Sequence, residues 1–263
     1  MSLHLDARQR AMLAEMGLHV YGPPAEAVAN APEAPEAAPV RLAPAPSGPR
    51  VNVEAPARPA APRPAPSPVR EPASSLESMG WDELAGALAE GRACPRCAGR
   101  PTVLGAGDPR AELLIVGDPP EEDEEREGEP FRGQAGMLLD NMLKAVGLDR
   151  HRRVYLTHVM KSRPPGNRNP EPQDLEACEP VLRRQVQLLQ PRVILVMGRF
   201  AAPFLLKTSD PLGKLRGRAH DYLGVPVVAT FHPTYLLRNQ QDKAKAWADL
   251  CLARQLMAEP DAV

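Results

Sequence analysis

The sequence predicts an α/β fold, a three-layer α/β/α sandwich with a mostly parallel central sheet. Short, continuous apolar runs alternate along the chain with segments whose apolar residues recur at helical spacing. Apolar runs without polar alternation are typical of strands that are buried on both faces. Strands that alternate with helices imply right-handed crossovers, which place helices on both faces of a parallel sheet.

The alternation begins near Trp81, and the chain ahead of it has a different composition. The protein has 263 residues and 32 prolines, and nearly half of these prolines fall between Gly22 and Ser75, among Ala, Glu and Arg. This segment contains almost no large apolar residues of the kind that build a core, so we predict a disordered linker over 22–75. A folded domain over 76–263 follows.

Residues 1–21 precede the linker and contain an amphipathic pattern that starts at Leu3 and stops at Gly17. This pattern predicts a short helix that docks on a protein partner of unknown identity. The alternative is a frayed helix without a fixed partner.

Composition excludes several classes of protein. The first residues carry charge without a continuous apolar segment, and no apolar run approaches the roughly 20 residues that span a bilayer. We therefore expect a cytoplasmic protein that does not bind membranes. We also expect it to be a monomer. The net charge of -1 gives no global sign of a polyanionic partner. The 4 cysteines of a cytosolic chain are typical of metal ligands or buried thiols rather than a disulfide framework.

The elements of the folded domain are predicted in order along the chain. Trp81, Leu84 and Leu88 form one face of a helix, and a tight knuckle follows at 94–97. The continuous apolar run Leu113–Val116 predicts a buried strand. The remaining predictions are a helical pattern from Ala135, strands Val154–Thr157, Val193–Met197 and Val225–Ala229, and helices over about 173–189, 201–206 and 243–257.

Three loops with polar side chains, around Asp118, His158 and His232, each follow a predicted strand. The carboxyl ends of parallel strands meet at one edge of a sheet, and ligands bind in the crevice outside that edge. We therefore expect the three loops to converge on a catalytic crevice.

These loops resemble those of the iron–sulfur uracil-DNA glycosylases called family 4, within the uracil-DNA glycosylase superfamily. The resemblance runs from about Arg92 to Met257 and rests on long motifs in the family's order. The matching segments are 117–121, 124–125, 128–133 and 135–139, then Thr157–Arg168, then His232–Arg238. The resemblance implies an α/β/α fold of this superfamily and a base excision repair enzyme that hydrolyses the N-glycosidic bond of uracil in DNA.

The resemblance also implies roles for residues of the pocket. Asp118 matches a catalytic carboxylate that orients water or stabilises the sugar cation, and His232 matches the histidine that donates to the uracil carbonyl. Phe131 matches the aromatic residue that stacks on the flipped base. Gly117 and His158 complete the expected uracil-binding set.

Several positions depart from the family pattern. Asp118 replaces glutamate and reaches one methylene less far, and His158 replaces the asparagine that reads the uracil edge. A neutral imidazole presents one donor and one acceptor on opposite sides of its ring, so it cannot copy the paired contact of an amide. Glu121 replaces a glycine in the loop wall, and Pro119 removes a backbone N–H from that loop.

The same edge carries the residues expected to contact DNA. These residues are Lys161, Arg163, Asn167, Arg168 and Arg238, with Leu236 and Leu237 as a wedge behind the flipped base. The alternative for the wedge is that one of the two leucines packs beneath the loop. We interpret the acidic run 121–129 as a solvated face, which argues against DNA lying directly over it.

The family holds a 4Fe–4S cluster with four cysteines, and one of them is replaced here. Cys94, Cys97 and Cys178 stand in place, while Ser162 occupies the remaining ligand position. An alcohol is a harder and less acidic ligand than a thiol, so a serine-ligated cluster would be more labile. Zinc on the three thiolates and an empty site are the alternatives.

The departures leave two other functions open. One is a protein of the glycosylase fold that binds nucleic acid and has lost catalysis. The other is a glycosylase with a shifted base substrate, including one that forms a covalent adduct through His158.

Overall fold

The computed structural model describes residues 73–258. The predicted helix at 1–21 and the predicted linker up to residue 72 lie outside the described residues. A 3₁₀ turn, Ala73–Ser78, covers the last three residues of the predicted linker. Among the described helices, none combines the length and the apolar character needed to cross a membrane.

A six-stranded sheet forms the centre of the domain. The strands are β1 (Ala106–Gly107), β2 (Leu113–Gly117), β3 (Val154–His158), β4 (Val193–Met197), β5 (Ala219–Tyr222) and β6 (Val225–Thr230), in the spatial order β1-β3-β2-β4-β6-β5. The four central strands are parallel, and β1 and β5 are antiparallel edges. All four predicted strands are confirmed. The edges were missed because β1 has two residues and β5 is mostly polar and exposed.

Eight α-helices accompany the strands within the described residues. They are α1 (Trp81–Ala89), α2 (Glu122–Glu127), α3 (Gly133–Ala145), α4 (Pro172–Leu189), α5 (Ala201–Leu205), α6 (Leu212–Leu215), α7 (Pro233–Arg238) and α8 (Lys243–Ala258). The predicted helices are confirmed within a few residues at their ends. Helices α2, α6 and α7 were not predicted. Helix α2 forms where acidic residues fill a first turn and Gly128 ends the helix in the left-handed conformation.

The apolar core lies on both faces of the sheet. On β2, Leu114 and Val116 belong to one buried cluster, which α1, α4 and α5 cover. Leu113 and Ile115 belong to the other cluster, which α3 and α8 cover. Successive side chains of a strand point to opposite faces, so this division gives the three layers that were predicted.

The strand register brings the functional loops to one edge. Gly117 at the end of β2 pairs with His158 at the end of β3, and Met197 at the end of β4 pairs with Thr230 at the end of β6. The predicted convergence of the loops after β2, β3 and β6 at one edge is therefore confirmed, and the loop after β4 joins them there.

Candidate active site

His232 follows β6 and is the N-cap residue of α7. Its Nδ1 accepts a hydrogen bond from the backbone N–H of Thr234 at 3.4 Å, so Nε2 carries the proton of the neutral ring. Burial lowers the pKa of His232, and the charge of Asp118 opposes this effect only in part. Nε2 is buried and has no hydrogen-bond partner among the described residues. The result is a neutral N–H donor that is available to a ligand.

The Phe131 ring contacts two histidines. Its centroid lies 5.1 Å from that of His158 and 5.4 Å from that of His232, and the second pair is stacked. The residue is almost fully buried and has φ 54°, an uncommon conformation for a side chain of this size. Its carbonyl oxygen lies so near Gly136 that a Cβ there would stand 2.0 Å away.

Glu124 holds the other side of the Phe131 peptide. Its carboxylate accepts hydrogen bonds from the backbone N–H groups of Phe131 and Glu121, and it lies 3.2 Å from Nε2 of His158. Burial by itself would raise the pKa of Glu124, but His158 and the two backbone donors outweigh it and bring the pKa to about 2. Glu124 is therefore a buried anion that ties three parts of the pocket together.

The burial of Glu124 corrects our interpretation of the acidic run as a solvated face. Its neighbours Glu122, Asp123, Glu127 and Glu129 are exposed, whereas Glu124 is 5 % exposed. The sequence did contain a signal, because Glu124 stands three residues after Glu121, the spacing of a capping box.

His158 is fully buried at the end of β3. Its Nδ1 has no partner among the described residues. A Cβ on Gly117 would lie 2.7 Å from this nitrogen and 2.7 Å from the Phe131 ring. Gly117 thus lets the two rings approach the strand end, which is a steric reason for glycine at this position.

Asp118 is anchored to the loop after β4. Its carboxylate accepts hydrogen bonds from the backbone N–H groups of Arg199, Phe200 and Ala201 at 2.8–3.1 Å. A Cβ on Gly198 would lie 2.2 Å from this carboxylate, so only glycine fits there. A carboxylate has about four lone-pair sites, and three accepted bonds leave one for a water molecule.

The mouth of the site is bridged by Glu121. The Thr234 hydroxyl on α7 donates to the Glu121 carboxylate at 2.9 Å, which joins the loop after β2 to the loop after β6. Beside this bridge, a cavity of ≈ 630 Å³ is lined by Asp118, Phe200 and His232 among others. A second cavity of ≈ 450 Å³ lies on the other side of Asp118 and is lined by Arg163 and Asn167.

Two of the residues expected to contact DNA do not face solvent, which corrects the prediction. Lys161 is fully buried and donates to the Thr157 hydroxyl and the His158 carbonyl oxygen, both at 2.6 Å. Leu236 is 1 % exposed and belongs to the core, whereas Leu237 is 36 % exposed. The alternative in which one leucine packs beneath the loop is therefore the observed one.

The other basic residues of this edge lie at the surface with mixed partners. Arg163 donates to Asn167 and pairs with Glu122 on α2 at 3.2 Å, and Arg168 pairs with Asp174 at 2.7 Å. Arg238 is exposed on α7. Sequence reasoning missed Arg199, which is exposed and lies over the Phe200 ring beside Asp118.

Three cysteines converge at a second site. The sulfur of Cys178 on α4 lies 2.9 Å from that of Cys94 and 3.6 Å from that of Cys97, and all three residues are fully buried. The Ser162 hydroxyl donates to Cys97 at 3.4 Å. Hydrogen bonds from Cys178 and Cys94 lower the pKa of Cys97 to about 3. A buried group of thiols with a thiolate suits a metal that prefers soft ligands.

A parallel sheet that is covered on both faces defines an α/β/α protein. An aromatic ring that contacts two histidines lies at the carboxyl edge of this sheet, which places the ligand site in the crevice after the strands. The chain belongs to the uracil DNA glycosylase superfamily, whose family model matches residues 104–251.

Relatives of known name agree with this assignment. The chain is 40% identical over 147 residues to the type-4 uracil-DNA glycosylase of Archaeoglobus fulgidus, a match that covers 53% of this chain and 73% of the relative. It is 39% identical over 156 residues to the type-4 enzyme of Thermotoga maritima, covering 58% and 81%. A type-5 uracil-DNA glycosylase of Pyrobaculum aerophilum is 29% identical over 148 residues, covering 49% and 64%.

Proposed function

We propose that this protein is a uracil-DNA glycosylase that hydrolyses the N-glycosidic bond of uracil in DNA during base excision repair. The observation that carries the proposal is the neutral His232, whose buried Nε2–H has no partner and lies beside the Phe131 ring. An oriented donor in a water-poor site stabilises negative charge that develops on a departing base. The names of the type-4 relatives support the same activity.

The reaction needs the base outside the helix. A flipped uracil would stack on Phe131 with one carbonyl oxygen directed at Nε2 of His232. As the bond between the sugar C1′ and uracil N1 breaks, its electron pair moves to the base, and the His232 N–H donates to the oxygen that gains charge. Since removal of one such donor typically costs a factor of about 10²–10³ in rate, His232 would contribute a large share of the catalysis.

Asp118 would act on the sugar side of the bond. Its carboxylate is fixed by three backbone N–H groups, so its remaining lone pair has a defined direction. A water held there adds its oxygen to C1′ and gives up one proton to the carboxylate. The negative charge of Asp118 would also stabilise the positive charge that builds on the sugar before water adds.

DNA would bind along the exposed edge around the pocket. Arg238 and Leu237 on α7 flank the His232 side, and Arg163 and Asn167 flank the other. Phosphate contacts from such residues supply affinity and little sequence choice. Arg199, beside Asp118, extends this set.

We further propose that Cys94, Cys97 and Cys178 hold a 4Fe–4S cluster with Ser162 beside the remaining iron. The donor set fits the group in type, since three buried sulfurs converge and the Ser162 hydroxyl lies next to them. Its contribution would be structural, because it would join the 94–97 knuckle, the loop after β3 and α4. The residues of the pocket perform the reaction without it.

The cluster is tested by the iron and zinc content of protein purified without oxygen. We expect a substoichiometric, air-sensitive cluster, and we expect Ser162→Cys to raise the iron content and the visible absorbance. About four irons per chain that resist air would contradict the lability expected of a serine ligand. One zinc per chain would show that zinc, and not a cluster, occupies the three cysteines.

The activity is tested by a gel assay with uracil-containing oligonucleotides, single- and double-stranded. We expect release of uracil and an alkali-labile abasic site. A second candidate function, binding of nucleic acid without catalysis, is favoured by two observations: Glu121 and Thr234 are joined across the mouth of the site, and Phe131 is almost fully buried. Binding of the same oligonucleotides without uracil release would support that candidate instead.

A further inference from the structure

Phe131 holds a backbone conformation that needs support from its surroundings. Its φ of 54° lies in the left-handed region, which a side chain of this size seldom occupies because of steric strain. Its ring is almost fully buried and stacks on the His232 ring, with the two centroids 5.4 Å apart. A strained residue persists only where the structure around it fixes its conformation. The contacts that fix the Phe131 backbone therefore also decide where its ring lies.

Two charged side chains hold the peptide groups on either side of the Phe131 Cα. The Glu124 carboxylate accepts a hydrogen bond from the Phe131 N–H. On the other side, Nη2 of Arg150 donates to the Phe131 carbonyl oxygen at 3.3 Å. Hydrogen bonds to a charged group are stronger than bonds between neutral groups. Neither flanking peptide can rotate to relieve the strain without losing such a bond.

Arg150 is itself held in place. Its Nε donates to the Asp140 carboxylate on α3, and its Nη2 also lies 3.3 Å from the Gly136 carbonyl oxygen. The side chain is only 14 % exposed. A guanidinium is planar and presents its donors in a rigid fork, so these contacts fix the position of Nη2 opposite the Phe131 carbonyl. A lysine ammonium is a single point of charge and cannot hold the same set of acceptors.

The contact is remote from the expected chemistry. Arg150 precedes β3 at its amino end, whereas the pocket lies at the carboxyl ends of the strands. Among the described residues, those that line the two cavities beside Asp118 do not include Arg150. Arg150 can therefore influence the pocket only through the residues that it holds.

We propose that Arg150 is a positioning residue for the reaction: by binding the Phe131 carbonyl oxygen, it keeps the Phe131 ring stacked beside His232, where the flipped uracil would lie. The inference rests on the proposed function and adds to it a residue that touches neither base nor phosphate. Glu124 and Arg150 then act on Phe131 from opposite sides, one through the N–H and the other through the carbonyl.

Fluorine NMR of the full chain reports the position of the ring. The protein has 4 phenylalanines, so labelling with 4-fluorophenylalanine gives four resonances, and Phe131→Leu assigns the one of interest. For Arg150→Met we expect the Phe131 resonance to shift or to split, because the released peptide lets the ring take a second position. The resonance of Phe204 should stay in place. Arg152→Met removes an exposed arginine two residues away and should leave all four resonances unchanged.

Single-turnover release of uracil connects the ring to the reaction. We expect Arg150→Met to lower the rate about 10–100-fold at saturating protein, since small displacements of positioning groups have effects of this size. Affinity for the same oligonucleotide without uracil should change less than twofold, because phosphate contacts dominate it. Arg150→Lys keeps the charge and can reach one of the acceptors, so it should recover part of the rate. Arg152→Met should match the unmodified protein.

Each result decides a different claim. An unchanged Phe131 resonance in Arg150→Met overturns the inference, and so does an unchanged rate. If the unmodified protein releases no uracil, the proposed function is overturned, while the fluorine spectrum still decides whether Arg150 positions Phe131. Thermal melting of each variant is measured in parallel, and Arg150→Lys decides the question if Arg150→Met does not fold. In that case a rate and a Phe131 resonance equal to those of the unmodified protein overturn the inference.

Discussion

Asp118 and Glu124 belong to the same segment after β2, yet they occupy opposite environments. Asp118, expected to be the catalytic carboxylate, is held by three backbone N–H groups of the loop after β4. Glu124, expected to be solvated, is buried and bound to Phe131, Glu121 and His158. The comparison teaches that Glu124 ties the Phe131 and His158 side of the pocket together, while Asp118 is fixed on the side of the loop after β4; in the proposed reaction these would be the base side and the sugar side.

Loss of His232 should have the largest effect on the rate of uracil release, because His232 would donate directly to the oxygen that gains charge, whereas neither carboxylate would contact that oxygen. We expect His232→Ala to lower the single-turnover rate of uracil release by about 10²–10³-fold, while binding to uracil-containing DNA changes far less. His151→Ala, an exposed histidine, is the matched control. A loss below tenfold would show that the developing charge is stabilised elsewhere.

The two carboxylates should then differ when each is replaced by its amide. Glu124→Gln should lower stability by about 1–3 kcal/mol, since a buried anion with charge-assisted bonds to backbone donors is lost, and urea unfolding measures this. Asp118→Asn keeps an oxygen that accepts from the Phe200 and Ala201 N–H groups and loses only the bond from Arg199, and the residue is partly exposed, so we expect a smaller loss of stability with a lower rate of excision. Equal losses of stability in Glu124→Gln and Asp118→Asn would contradict the difference between the two carboxylates.

Gly136 also holds Phe131 in place, because it lies against the Phe131 peptide. Gly136→Ala places a Cβ 2.0 Å from the Phe131 carbonyl oxygen, so we expect destabilisation by about 1–3 kcal/mol. Gly86→Ala, inside α1 with no atom near its Cβ position, is the control and should stabilise by about 0.5–1 kcal/mol. Thermal unfolding of both variants measures the difference, and a Gly136→Ala protein as stable as the control would show that the Phe131 peptide can move.

The pH dependence of stability gives a smaller and continuous signal. The pKa of Glu124 is about 2 in the folded protein against 4.5 for the free side chain. A lowered folded pKa stabilises the protein above the unfolded value, so this contribution should be lost as pH falls from about 4.5 towards 2. Urea unfolding across this range should show a steeper decline for the unmodified protein than for Glu124→Gln, and parallel curves would refute the assignment.

Much of the fold was predictable, and the reason is visible in β2 and β4. Both are continuous apolar runs, each followed by a glycine and too short for a helix, and this combination favours a buried strand. The edge strands were not predictable, because β5 is polar and depends on the hairpin with β6 for its pairing.

The site was predictable where a motif fixes a residue to a strand end, as for His158 and His232. It was not predictable where the outcome depends on packing. Lys161 is a residue type that is usually exposed, so its burial could not be read from the sequence. Leu236 and Leu237 are adjacent and chemically identical, and only the rotation of α7 decides which one enters the core.

The position of the protons on the two pocket histidines tests the account most directly. Nitrogen NMR of protein labelled at histidine distinguishes a protonated ring nitrogen from a lone-pair nitrogen, and His158→Asn and His232→Ala assign the signals. The account predicts that the His232 ring carries its single proton on Nε2, and that Nε2 of His158 carries a proton which it donates to Glu124. A lone-pair nitrogen at Nε2 of either histidine in the unmodified protein would contradict it.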